Sequence, residues 1–157
     1  MVRIGLGRDL HRLVEGRPFI LAGVQLPFLK GETGNSDGDV LAHAVIDALL
    51  GAVAMGDIGE FFPPEESAWK DADSMELLRQ VWARLKAAGW RLQNLDCCVL
   101  CEAPKILPYR EQIRTALAAA LETDIEAVFV KAKTGEGLGP IGEGLAVEAE
   151  SVCLLTK

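Results

Sequence analysis

Asn35-Ser36-Asp37-Gly38-Asp39-Val40-Leu41-Ala42-His43-Ala44 is a polar loop that runs into an apolar helix, and that helix carries one of only two histidines in the chain. From Asp39 to Met55, Val40, Leu41, Ala44, Val45, Ala48, Leu49 and Ala52 recur at the 3.6-residue period of a buried stripe, and Gly56 is the expected stop. The second histidine closes the run Val2-Arg3-Ile4-Gly5-Leu6-Gly7-Arg8-Asp9-Leu10-His11. Period-two alternation predicts a strand there, with Asp9 and His11 on one face. Two imidazoles and a carboxylate, brought by a strand end and a helix start, make the inner shell of a divalent-metal site with one position open. Asp39, His43 and Asp47 fall at i, i+4 and i+8, so a carboxylate on the same helix face is expected to take the second ring N–H of His43. Plainer readings stay open for each piece. Ser36-Asp37-Gly38-Asp39 serves equally as a turn and N-cap, and Asp-x-His on a strand as solvated surface.

The rest of the chain reads outward from these two segments. Arg12 to Arg17 is a polar turn, and Phe19 to Leu26 is strand-rich with Gly23 as a bend or bulge. Leu29 to Asp37 is loop. Gly56 to Asp73 is a long connection rich in Gly, Pro and acids, a candidate lid or a solvated linker. Asp73-Ser74-Met75-Glu76 has capping-box spacing and opens a helix to about Ala88, which buries Met75, Leu78, Val81, Trp82 and Leu85. A strand over Leu92–Glu102, a helix from Pro108 to Leu121, a strand over Ala127–Lys133, a glycine-rich loop to Gly144 and a final strand Leu145–Leu155 complete the order. That order lacks the strict alternation of a doubly wound sheet. The expected fold class is α+β: one mixed, largely antiparallel sheet with helices on one face. A sheet covered on one side only must find an oligomeric neighbour for the other.

A chain of 157 residues fits one domain, 1–157, large enough for a core without disulfides. No apolar run approaches the ~18 residues of a membrane span, and no charged-then-apolar leader opens the sequence. A cytoplasmic protein with no membrane association is expected. The net charge of −7 argues against a nucleic-acid partner, which would need a basic stripe. It also means that a phosphorylated ligand must be met locally by metal ions, lysines and backbone N–H groups. Cys98-x-x-Cys101 has no second CxxC, and residues three apart on a strand point to opposite faces. Cys97, Cys98, Cys101 and Cys153 read as reduced core thiols.

Gly7-Arg8-Asp9-Leu10-His11, and Ser36-Asp37-Gly38-Asp39-Val40 with His43, resemble the two signature motifs of the 2-C-methyl-D-erythritol 2,4-cyclodiphosphate synthase family of the non-mevalonate isoprenoid pathway. Further segments match in the family's order: Asp47-Ala48-Leu49-Leu50-Gly51-Ala52, Gly56-Asp57-Ile58-Gly59, Phe62-Pro63, Ala72-Asp73-Ser74, Ala103-Pro104-Lys105, and Lys131-Ala132-Lys133-Thr134 with Glu136-Gly137-Leu138-Gly139. The resemblance covers essentially the whole chain as one synthase domain. It implies a metal-dependent phosphorus–oxygen lyase that turns 4-diphosphocytidyl-2-C-methyl-D-erythritol 2-phosphate into the 2,4-cyclodiphosphate and CMP by attack of the 2-phosphate on the β-phosphate. It implies a homotrimer with active sites between subunits. Zinc, one per subunit, would sit on Asp9, His11 and His43, and a second cation, Mg2+ or Mn2+, on Glu136. Asn35 and Thr134 take the catalytic positions. Asp57, Ile58 and Gly59 match the ribose contacts, and Cys101, Glu102, Ala103, Pro104, Lys105, Ile106 and Leu107 the segment that reads cytosine. Ser36, Phe62, Pro63 and Glu66 would cover the erythritol phosphate. Asp9, His11, Lys133, Gly135 and Glu136 complete the expected substrate contacts.

Four departures qualify the resemblance. Asn35 stands where the family usually has His, and it cannot carry a proton. The lid reads Phe62-Pro63-Pro64-Glu65-Glu66 instead of Phe-Pro-Asp-Thr-Asp. Lys133-Thr134-Gly135-Glu136 replaces Thr-Thr-Thr-Glu, keeping the middle threonine and the glutamate. Gly139-Pro140-Ile141-Gly142-Glu143-Gly144 lacks the arginine that lines the family's axial cavity, so weak or absent binding of isoprenoid diphosphates is expected. Two other functions fit the same ligands: a zinc-dependent phosphoesterase using activated water, and a non-catalytic, metal-stabilised trimeric scaffold.

Overall fold

Glycine lets the longest strand lie directly against the most deeply buried helix. A Cβ on Gly5 would stand 1.8 Å from the carbonyl oxygen of Ala48, and one on Gly7 1.9 Å from that of Ala44. Only a residue without a side chain permits that approach. The computed structural model describes residues 1–157. It places β1 (Val2–Glu15) beneath α1 (Val40–Ala52). All residues of α1 except Asp47 and Gly51 are buried, including Ala42, Ile46 and Leu50 off the expected stripe. A helix apolar all round needs cover on every side; the sheet supplies one side and α3 (Ser74–Ala87) another.

The main sheet has five strands in the order β4-β1-β7-β5-β6, with β4 Lys30–Glu32, β5 Arg91–Leu100, β6 Val128–Lys133 and β7 Ala146–Thr156. All neighbours are antiparallel except β5 and β6, whose parallel pairing requires the crossover through α4 (Arg110–Ala120). Leu41, Leu49, Leu78, Leu85, Leu95, Ile113 and Leu117 are fully buried between sheet and helices. On the opposite face Ile4, Leu6, Leu10, Phe129 and Val152 are exposed. The α+β class, the mixed sheet and the helices on one face are those expected.

Several local expectations are corrected. Arg12 to Glu15 is strand, because β1 outruns β7 and pairs its last residues, Leu13 to Glu15, with β4. That same pairing turns part of the expected 29–37 loop into a strand. Phe19 to Leu26 is not one bent strand but a separate hairpin, β2 (Phe19–Leu21) and β3 (Val24–Leu26), so the chain has a second, two-stranded sheet. Ala22 and Gly23 turn it with φ of 50° and 74°, the primed-turn geometry that matches strand twist. The helix expected to reach Met55 ends at Ala52, with Ala54 and Gly56 both left-handed. The 56–73 connection contains the short helix α2 (Ile58–Phe61) and a 3-10 turn, Ser67–Trp69. A further short helix, α5 (Gly139–Gly142), lies inside the glycine-rich loop. Pro108 stands in a 3-10 turn, Leu107–Tyr109, that leads into α4. The four cysteines are free; Cys97, Cys101 and Cys153 are buried and Cys98 is half-buried on the outer face.

Candidate metal centre and substrate pocket

Asp9 and His11 project from the face of β1 that meets α1, and His43 comes down from the first turn of α1. Oδ2 of Asp9 lies 2.7 Å from Nε2 of His11 and 2.9 Å from Nδ1 of His43, and the two ring nitrogens are 3.3 Å apart. Donor atoms ~2.0–2.1 Å from one tetrahedral ion lie about 3.3 Å from each other. The donor set is therefore pre-gathered to within a small expansion of a zinc-type shell, and all three ligand atoms lie within 4.8 Å of one another.

The electrostatics are those of a converging pocket. Burial raises the carboxyl of Asp9, but the hydrogen bonds and charges of the two imidazoles outweigh it and hold it well below the usual carboxylate range. Burial lowers His11, yet the hydrogen bond and charge of Asp9 leave it raised above its ordinary value. Nδ1 of His11 is hydrogen-bonded to the carbonyl oxygen of Thr33.

The expected carboxylate behind His43 is not there. Asp39 is wholly buried and caps α1, accepting from Ala42 N at 3.0 Å and from the hairpin N–H groups of Ala22 and Gly23 at 2.9 and 2.7 Å. Burial pushes its carboxyl up to about 6, against the pull of those three donors. Asp47 accepts from Ile58 N at 2.8 Å. Nε2 of His43 meets hydroxyls instead, Ser74 Oγ at 2.8 Å and Ser36 Oγ at 3.1 Å. In the sequence Ser74 stands only inside the capping-box segment and the Ala72-Asp73-Ser74 match, with no role in the site. Asp73 caps α3 through Met75 N, at 2.9 Å, while Glu76 turns outward to Arg79, so the capping box is half made.

Around the triad a cleft of about 220 Å³ is lined by Asn35, Ser36, Ile58, Gly59, Phe62 and Pro64, closed by Trp69 and Leu77. Asn35 donates from Nδ2 to Pro64 O at 3.1 Å and so ties the 62–66 loop to the rim. Asp57 stands beside it as the cap of α2, accepting from Glu60 N. Glu66 is exposed and accepts from Trp69 Nε1 at 3.1 Å; Pro63 does not line the cleft. Pro64, Trp69 and Leu77 are lining residues the sequence did not single out.

The remaining expected residues lie elsewhere. Cys101, Glu102, Pro104, Lys105, Ile106, Leu107, Lys133 and Thr134 line a separate pocket of about 190 Å³ beyond the ends of β5 and β6, with Ala103 in the same turn. Thr134 Oγ1 donates to Glu136 at 3.4 Å, and Gly135 N donates to Glu102 at 3.0 Å. Glu136 is exposed with a φ of 53° and lines neither pocket. No residue lines both pockets. The largest cavity, about 610 Å³, is a third space between the hairpin, α3 and α4, walled largely by small side chains and remote from the metal-type ligands except through Asp37.

The chain matches the YgbB family over residues 2–156. It is 58% identical over 154 residues to a 2-C-methyl-D-erythritol 2,4-cyclodiphosphate synthase of Treponema denticola, covering 98% of this chain and 96% of the relative. Among solved structures, a bifunctional IspDF from Campylobacter jejuni superposes with a TM-score of 0.95 at 40% identity; the match covers 99% of this chain and 42% of that one. A 2C-methyl-D-erythritol-2,4-cyclodiphosphate synthase in a CDP-bound form superposes with a TM-score of 0.90 at 36% identity, covering 98% of this chain and 100% of the other. No helix here is long and apolar enough to cross a membrane.

Proposed function

The chain belongs to the YgbB family of cyclodiphosphate synthases, and from that membership we propose how its single domain, 1–157, works. It closes 4-diphosphocytidyl-2-C-methyl-D-erythritol 2-phosphate to 2-C-methyl-D-erythritol 2,4-cyclodiphosphate, a step of isoprenoid precursor biosynthesis in the cytoplasm. An oxygen of the 2-phosphate forms the new bond to the β-phosphorus, and the bond from that phosphorus to CMP breaks. The observation that carries this reading is the convergence of Asp9, His11 and His43 on the floor of a cleft.

Nucleophile and electrophile belong to one molecule, so the protein needs no covalent nucleophile. Its residues must fold the substrate in line, balance charge and exclude water. Asp9, His11 and His43 would hold zinc, one ion per subunit, which when bound supplies Lewis acidity toward a β-phosphate oxygen. Asn35 and Ser36 donate to the 2-phosphate. Asn35 orients it without moving a proton, so turnover is less sensitive to pH near neutrality than with a histidine there. Asp57, Ile58 and Gly59 hold the ribose, while Phe62, Pro63 and Glu66 cover the erythritol.

Cys101 to Leu107 reads cytosine, and Lys133, Thr134 and Gly135 meet the diphosphate, where Thr134 donates to charge developing at transfer. Glu136 would offer its carboxylate to a second cation, Mg2+ or Mn2+, which would balance the charge of the diphosphate. A homotrimer sets the metal cleft of one subunit against the nucleotide pocket of the next. Supporting it are the separation of those pockets within one chain and the exposed apolar row Ile4, Leu6, Leu10 and Val152 on the uncovered sheet face.

Incubating the purified protein with this substrate, zinc and magnesium, and following phosphorus NMR, tests the reading. A cyclic diphosphate with CMP is expected. Linear methylerythritol phosphates carrying solvent oxygen would instead identify a phosphoesterase. His43→Ala should lose both zinc and turnover; unchanged turnover excludes the ligand set.

A further inference from the structure

We propose that Ser74 and Asp37 are positioning residues for the metal centre, locking His43 in the tautomer that carries its proton on Nε2 and turns the Nδ1 lone pair toward Asp9 and His11. This rests on the metal reading above and adds to it the groups that aim the ligand.

Counting hydrogens gives the direction of each bond. Ser74 Oγ has one hydrogen and lies 2.5 Å from Asp37 Oδ1, 2.8 Å from His43 Nε2 and 3.4 Å from Ser36 Oγ. Both carboxylate oxygens of Asp37 act as acceptors: Oδ1 also takes Asp39 N at 3.1 Å, and Oδ2 takes Ser74 N at 3.0 Å. The serine hydrogen therefore goes to Asp37, its shortest contact and an acceptor-only group. With that hydrogen spent, Ser74 faces His43 with lone pairs, so the short contact to Nε2 holds only if the ring nitrogen donates. Ser36 Oγ accepts from Gly38 N at 3.3 Å and keeps a second lone pair, with which it can also accept from Nε2 at 3.1 Å. A neutral imidazole has one N–H. In the metal-bound protein Nδ1 is then bare, and it is the atom turned to Asp9 at 2.9 Å and to His11 at 3.3 Å; the hydrogen bonds that hold the Asp9 carboxyl down are those of the metal-free protein.

His11 is fixed by the same logic through another group. A carbonyl oxygen can only accept, so the bond to Thr33 O places the His11 proton on Nδ1 and leaves Nε2 facing the cluster. The two histidines thus present opposite nitrogens, each because a different acceptor stands behind it.

Ser74 is fully buried and is the first residue of α3, whose cap is Asp73. The helix start does not need the Ser74 hydroxyl. That separates a role in aiming His43 from a role in holding the helix, and variants can exploit the difference.

The test measures zinc affinity by competition with a chromophoric chelator for Ser74→Ala, Ser74→Thr, Asp37→Asn, Asp73→Ala and His43→Ala in the full chain. Visible spectra of the cobalt-substituted proteins and the 15N–1H correlations of His43 in the zinc-loaded protein accompany it. Loss of a group behind a metal-bound imidazole costs about 10- to 100-fold in affinity; that loss is expected for Ser74→Ala, with a shifted cobalt spectrum. Ser74→Thr, which keeps the hydroxyl, should recover most of it. Asp73→Ala should lower the melting temperature and leave zinc affinity at the parental value. Parental zinc affinity in Ser74→Ala overturns the proposal. So does an unprotonated Nε2 on His43 in the zinc-loaded parent, a measurement that decides the matter even where Ser74→Ala does not fold. Parental affinity in His43→Ala would overturn the metal reading itself, and this proposal with it.

Discussion

Gly7→Ala is the most exacting perturbation of the way strand and helix meet. Its new Cβ would lie 1.9 Å from Ala44 O, 2.6 Å from Ala48 N and 3.0 Å from Ala44 C, all backbone atoms that no rotamer change can move aside. Ordinary contact begins at 3.4 Å, so the helix must lift by about 1.5 Å over Gly7. His43 is the neighbour of Ala44 on α1, whereas Asp9 and His11 follow Gly7 on β1, so the lift opens the triad directly. Metal sites hold their distances to within about 0.2 Å, so a displacement several times larger predicts at least about a tenfold loss of zinc affinity. Overpacking a tight core costs about 1–3 kcal/mol. For a chain of this length each kcal/mol moves the melting temperature by about 2–4 °C. Thermal melts and zinc competition titrations on the same preparation read both effects. A Gly7→Ala protein that melts with the parent and binds zinc as tightly would refute the close-approach argument.

Three other outcomes follow from the same structure. Gly51, in the same helix, has nothing within 4 Å of an added Cβ; Gly51→Ala should stabilise by about 0.5–1 kcal/mol and leave zinc binding alone, as thermal melts would show. Asp39→Ala strips the acceptor from three N–H groups, Ala22, Gly23 and Ala42. At about 1 kcal/mol or more each, the loss in urea unfolding should reach at least about 3 kcal/mol, and Asp39→Asn should lose less. Glu32 is fully buried, and burial pushes its carboxyl up to about 8 from an ordinary 4.5. Between those values the unfolded chain ionises while the folded one stays protonated, so this group's contribution to stability declines as pH rises through that window. Glu32→Gln should flatten the decline and gain most over the parent at about pH 8; urea midpoints that stay parallel to the parent's across the window would contradict it.

Much of the fold was legible because period is a local property. The alternation of Val2–His11 and the 3.6-residue stripe after Asp39 each announce an element and the face it buries. The strand β4 was not legible: Lys30-Gly31-Glu32 has no apolar alternation, and it is a strand because the end of β1 outruns β7 and offers it an edge. For the same reason Arg12 to Glu15, polar enough to read as a turn, continues the strand. In the site, residue types and spacing point to Asp9, His11 and His43, but equal spacing on α1 points to carboxylates behind His43 where hydroxyls stand. Asp39 and Asp47 share its face in projection, yet each is drawn off by backbone N–H groups of another segment. Ser74 was hidden because its local pattern already had a sufficient explanation as a helix start.

Residue identity and repeats a few positions long are enough to mark Asp9, His11 and His43 as candidate ligands, to place the elements that carry them and to point to the family. Long-range packing settles which ring nitrogen each histidine turns to the cluster, that hydroxyls rather than a carboxylate stand behind His43, and that the pocket of Cys101 to Leu107 and Thr134 is separate from the cleft of Asp9, His11 and His43 within one chain. Those outcomes depend on where groups some 22 to 37 positions apart come to rest, as His11 with Thr33 or Asp37 with Ser74. That is set by how closely a helix packs on a strand, and no local period encodes it.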